Sequence, residues 1–131
     1  MSILVDSSIW IDFFKSGNNS EGLDYYIDEN ILVVNDLILT ELIPFLKLKR
    51  QDEIVQLLKS INRLEMNINW EQIVEFQYQC LKNGISGIGI PDLIIAQNAI
   101  QNDCSIYTLD KHFTMMKSAI DIRLEEIKPK A

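Results

Sequence analysis

The chain has 131 residues, and 47% hydrophobic with 24% charged residues is the balance of an ordinary globular domain that buries a core without staples. Its net charge of −7 argues against holding nucleic acid by charge alone, and no apolar run approaches the roughly 18–20 residues of a membrane span. Two cysteines, Cys80 and Cys104, are too few for a disulfide framework or a zinc site and read as reduced core residues.

Ile3-Leu4-Val5 is an apolar run that meets an acid at once in Asp6, the pattern of a buried parallel strand rather than a signal peptide. This points to a cytoplasmic protein. Ser7 to Lys15 reads as a helix closed by Gly17, with Trp10, Phe13 and Phe14 as core or interface, and a second helix spans about Glu21 to Asp28. Ile31-Leu32-Val33-Val34 is the next strand, and Asn35-Asp36 cap a helix from Leu37 to about Lys49 that Pro44 should kink or restart. Gln51 to Ile61 is amphipathic, Leu64-Glu65-Met66 reads as a short third strand, and Trp70 to Lys82 is helical. Asn83 to Ile90 is loop, and Pro91 opens a helix that runs to Asn102. Strand Ser105–Thr108, a short helix from Asp110 and a last strand near Ile122-Arg123-Leu124 complete the chain. Neither linker nor repeat interrupts it, so residues 1–131 read as one α/β domain, three layers deep, with a mostly parallel sheet of four to five strands.

Ligands of such sheets bind outside the carboxyl ends of the strands, which singles out four of the nineteen acids. Asp6 follows the first strand, Asp110 follows Ser105–Thr108, Asp92 opens the helix leading into that strand, and Glu41 lies one turn into the helix leaving Ile31–Val34. Crowded carboxylates imply a bound cation, and an oxygen-rich set favours Mg²⁺ or Mn²⁺. Three of the four also have simpler readings: Asp6 and Asp110 as helix N-caps, Glu41 as a helix-surface residue. Asp92 differs, because Ala96 and Ala99 stack on it with Leu93, Ile95 and Ile100 to either side, while Gln97, Asn98, Gln101 and Asn102 face the other way. A carboxylate on an apolar helix face needs a partner. His112, the one histidine, reads as a surface residue beside an acid, and Asp12, Asp24, Asp28 and Asp52 as solvated charge. Basic residues cluster locally at Lys47, Lys49 and Arg50, and at Lys111 and Lys117.

In this order the segments Leu4-Val5-Asp6-Ser7-Ser8-Ile9-Trp10-Ile11-Asp12, Thr40-Glu41-Leu42, Asp92-Leu93-Ile94-Ile95-Ala96-Gln97-Asn98-Ala99 and Tyr107-Thr108-Leu109-Asp110-Lys111-His112-Phe113 make the chain resemble a PIN domain, and within that group the VapC toxins of type II toxin–antitoxin pairs. The resemblance implies an endoribonuclease using Mg²⁺ or Mn²⁺, with Asp6, Asp92 and Asp110 as metal ligands and Glu41 binding directly or through water. Ser8 and Thr108 would support those acids or the substrate phosphate. It also implies hydrolysis of structured tRNA or rRNA by metal-activated water, a homodimer, and silencing by a small antitoxin. The pI of about 4.6 is a departure from what an RNA-binding surface leads one to expect. Two rival readings are a PIN-like scaffold that only binds a partner, and a von Willebrand A-like module. For the latter Asp6 and Ser8 fit an Asp-x-Ser-x-Ser motif, but Trp10 stands in place of the second serine.

Overall fold

The computed structural model describes residues 2–126. Its strands are β1 (Ile3–Val5), β2 (Leu32–Val34), β3 (Asn62–Arg63) and β4 (Ser105–Tyr107), all parallel and ordered β3-β2-β1-β4. Leu4 sits between Val33 on one side and Ile106 on the other, so the central strand is the shortest route between two distant parts of the chain. Between and after the strands lie α1 (Ser7–Lys15), α2 (Gly22–Asp28), α3 (Asp36–Leu48), α4 (Asp52–Ser60), α5 (Trp70–Lys82), α6 (Ile90–Gln101) and α7 (Lys111–Met116).

Side chains alternate across a strand, and here each face feeds its own core. Leu4, Val33 and Ile106 pack with Ile73, Cys80, Leu93, Ile95, Phe113 and Met116 from α5, α6 and α7. On the other face Ile3, Val5, Leu32, Val34 and Tyr107 meet Ile9, Trp10, Leu23, Leu42, Leu46, Val55 and Leu58 from α1 to α4. Such residues contribute about 1.5–3 kcal/mol each on burial. The result is the expected α/β/α sandwich, and the strands read as unbroken apolar runs because both faces are covered. Both cysteines are buried thiols. No helix among the described residues is long and apolar enough to cross a membrane.

Four local expectations need correction. The third strand is Asn62–Arg63 rather than Leu64–Met66, because Val33 and Val34 pair with those two residues. Leu64 still donates its N–H to Val34 O at 2.7 Å, and then Leu64 and Met66 turn onto the α5–α6 core. Helix α3 neither stops nor restarts at Pro44; Leu42 and Leu46, both fully buried, anchor the turns on either side of it. Near the C-terminus only Leu124 forms a parallel bridge, to Ile106, which bonds to Arg123 O and Glu125 N at 2.8 Å each. Finally, Asp12 is not simply solvated: its Oδ2 accepts from Ser20 Oγ at 2.8 Å and from Asn19 N at 3.1 Å, tying down the turn after α1.

The polar side of α6 is also partly interior. Gln97 and Asn98 are almost fully buried, with every polar group engaged. Asn98 Oδ1 accepts from Asn35 Nδ2 at 2.9 Å, and Asn98 Nδ2 donates to Glu65 O at 3.0 Å. Gln97 accepts from Asn69 N and donates to Asn69 O and to Gln72 Oε1. Asn35 Oδ1 meanwhile caps α3 by accepting from Ile38 N at 2.8 Å. These amides lash α6 to the start of α3 and to the connection running from β3 to α5.

Candidate metal centre

The chain leaves β1 towards β2 on one side and returns to pair with it through β4 on the other. The carboxyl ends of β1 and β4 therefore frame the switch point where such sheets hold ligands. Asp6 lies there, only 5% exposed, as the residue after β1. It occupies the N-cap position of α1 yet caps nothing. Instead Asp6 Oδ2 accepts from Ser8 Oγ and from Thr108 Oγ1, both at 2.8 Å. Each hydroxyl is itself held from behind: Leu109 N donates to Ser8 Oγ and Asp110 N to Thr108 Oγ1, at 2.9 Å each. Ser8 and Thr108 thus clamp one carboxylate and join the loops leaving β1 and β4.

Asp110 does cap, its Oδ1 accepting from His112 N at 2.9 Å. Its carboxylate also lies 3.3 Å from His112 Nδ1, which stands 3.8 Å from Asp92 Oδ2. Asp92 enters from the first turn of α6, its side chain 21% exposed. Ligand-type atoms of Asp92, Asp110 and His112 all fall within 4.8 Å of one another. Glu41 approaches from α3 and stays exposed, but near enough to Asp6 and Asp92 to feel their charge.

The electrostatics show the crowding. Burial, then the carboxylates of Asp110 and Asp6, push Asp92 up to about 6, with His112 pulling it back. Burial, then Asp6 and Asp92, raise Glu41 above the ordinary carboxylate range. A divalent cation is the usual relief for such an arrangement. The donors are carboxylate oxygens with one imidazole at the rim, a set suited to Mg²⁺ and tolerant of Mn²⁺.

All four acids singled out in the sequence converge on this edge, Glu41 as its outermost member. His112 stands beside an acid at the surface, as that reading had it, and also comes near Asp92. Its place two residues after a capping acid was a local signal, but its approach to Asp92 depends on how α6 and α7 pack. The basic cluster at Lys47, Lys49 and Arg50 belongs to the far end of α3, about 20 Å along the helix from its start at this edge.

The PIN domain family matches residues 3–118, nearly the whole described chain. The chain belongs to that family. The von Willebrand A-like alternative falls with this assignment. No curated relative matches the sequence. Among solved structures, this PIN domain is similar to VapBC2 from Rickettsia felis bound to a promoter DNA fragment, with TM-score 0.75 and 19% identity over 95% of this chain and 98% of that one. It is similar to VapBC-1 from nontypeable Haemophilus influenzae, with TM-score 0.74 and 20% identity over 96% and 98% of the two chains. DNA-bound VapBC from Salmonella typhimurium gives 0.73 and 14% over 95% and 97%. At these identities the likeness is one of fold.

Proposed function

We propose that this PIN domain is a divalent-metal-dependent endoribonuclease and the toxin of a toxin–antitoxin pair, acting in the cytoplasm on structured tRNA or rRNA. The observation that carries the reading is the convergence of Asp6, Asp92 and Asp110 on one sheet edge, with Asp92 pushed to about 6. Asp6, Asp92 and Asp110 would hold Mg²⁺ or Mn²⁺, with Glu41 joining directly or through water. Bound there, the cation supplies Lewis acidity that lowers the pKa of water and offsets charge on a scissile phosphate.

The chain's own residues set the frame for that chemistry. Ser8 and Thr108 both donate to Asp6 Oδ2 and hold the carboxylate in one rotamer, a supporting role that leaves water as the proposed nucleophile. His112, between Asp110 and Asp92, orients Asp110. With no side-chain nucleophile, hydrolysis leaves 5′-phosphate and 3′-hydroxyl ends. The VapBC complexes among the structural neighbours support a small antitoxin as the partner.

The test is cleavage of end-labelled total tRNA and rRNA by the purified protein. Cutting is expected with Mg²⁺ or Mn²⁺, and none in excess EDTA or with Asp92→Asn. Full activity in EDTA, or cyclic-phosphate products, would overturn the reading.

A further inference from the structure

Away from the carboxylate edge, a cavity of about 300 Å³ is lined by Glu21, Gly22, Tyr25, Tyr26, Tyr107 and Glu126. That volume suits a small ligand. Its walls are aromatic: the Tyr26 ring packs edge-on with Tyr25 and with Tyr107, the centroids 5.7 Å apart in each pair. Tyr107 is only 3% exposed, and its hydroxyl accepts from the Gly22 N–H. Gly22 keeps the floor open, because a Cβ there would stand 3.3 Å from the Tyr26 ring and 3.6 Å from the Tyr107 hydroxyl.

The charges around this cavity share one sign. Glu21 and Glu126 line it, and no described lysine, arginine or histidine does. Glu125 stands behind Tyr26, half-buried, accepting from Tyr26 Oη at 3.4 Å and from Ser105 Oγ at 2.6 Å. It has no cationic partner among the described residues. Burial, then the Glu125 charge, raise the Tyr26 phenol above its ordinary value, as a negative field would.

We propose that this cavity binds a small organic polycation of the polyamine class, its ammonium groups held by tyrosine ring faces and by the glutamates. Both kinds of wall attract cations. A bare metal ion needs converging ligands, which the described residues bring together only at Asp92, Asp110 and His112. Phosphate would be repelled, and an apolar ligand would bury carboxylates unpaired. Three glutamates about one small cavity match several ammonium groups, which a polyamine supplies and a single lysine side chain does not. Tyr107 belongs to the core that α1 to α4 cover, so the site is separate from the metal centre and independent of the nuclease reading.

Spermidine titrated calorimetrically into the whole chain in about 0.15 M NaCl should bind at one site, with a dissociation constant at or below about 1 mM. Tyr25→Ala, at a ring 60% exposed, should weaken binding at least about fivefold without disturbing the fold, which circular dichroism checks. Glu126→Gln should weaken it about 3–5-fold, whereas Glu53→Gln, the same charge change on α4, should leave it within about twofold. Added Mg²⁺ should not displace the spermidine, and N-acetyl-lysine amide should bind at least about tenfold more weakly. No saturable binding below about 10 mM, equal loss in Glu53→Gln and Glu126→Gln, or indifference to Tyr25→Ala would overturn the proposal. So would displacement by Mg²⁺, or a lysine amide that binds as tightly as spermidine.

Discussion

Burial and two neighbouring carboxylates push Asp92 from 3.8 up to about 6, which makes metal-free stability depend on pH in a direction opposite to that of a salt-bridged acid. Between about pH 4 and pH 6 the folded chain holds a proton that the unfolded chain has released, so stability falls as pH rises through that window. The loss is on the order of 1–3 kcal/mol. Asp92→Asn should therefore melt several degrees above wild type at pH 7 in EDTA, and the gain should vanish below about pH 4; thermal unfolding across pH checks both. A variant less stable than wild type at pH 7 would make Asp92 a structural residue. Thr108→Val removes one of two donors to a carboxylate that is 5% exposed. It should weaken Mg²⁺ binding about 10–100-fold while leaving the fold intact, as calorimetric titration would show. At this scale the sequence was only partly legible. Asp92 was conspicuous because its apolar neighbours are close in sequence at helical spacing. The pairing of Asp6 with Thr108 spans 102 positions, and nothing local to either residue announces it.

The helices were legible where apolar periodicity was long, and illegible where a tertiary partner set the outcome. Helix α3 passes through Pro44 because buried leucines on both flanks outweigh one missing backbone bond. Strand β3 is two exposed residues whose only claim to be a strand is the edge of β2, which is why Leu64–Met66 looked the better candidate. Helix α6 misleads in another way: Gln97 and Asn98 have the composition of a solvated arc and the burial of a core. Asn98→Leu would strand Asn35 Nδ2 in the interior and take from the part-buried Glu65 O its donor. The expected cost is about 2–4 kcal/mol, read as a lower urea midpoint with unchanged slope. Since the same amide ties α6 to the start of α3, the variant should also loosen the spacing between Asp92 and Glu41.

On the scale of the whole molecule the architecture was the most legible property, since strand–helix alternation with apolar strands leaves few alternatives to a covered parallel sheet. The charge was not: −7 argued against nucleic acid, and it takes the clustering of four acids at one edge to show where part of it is spent. Mg²⁺ should accordingly stabilise the protein, by about 2.7 kcal/mol at one hundred times its dissociation constant, and the melting shift should be absent in Asp92→Asn. Central placement of β1 has a temporal consequence. On the ribosome β1 has no second neighbour until β4 is made, and Asp6 has no Thr108 to hold it until residue 108 has been added. A chain ended before residue 105 and freed from the ribosome should therefore gain no protection from proteolysis on adding Mg²⁺, whereas the full chain should. The carboxylate edge is thus a late product of folding, assembled only as β4 slides into place beside β1.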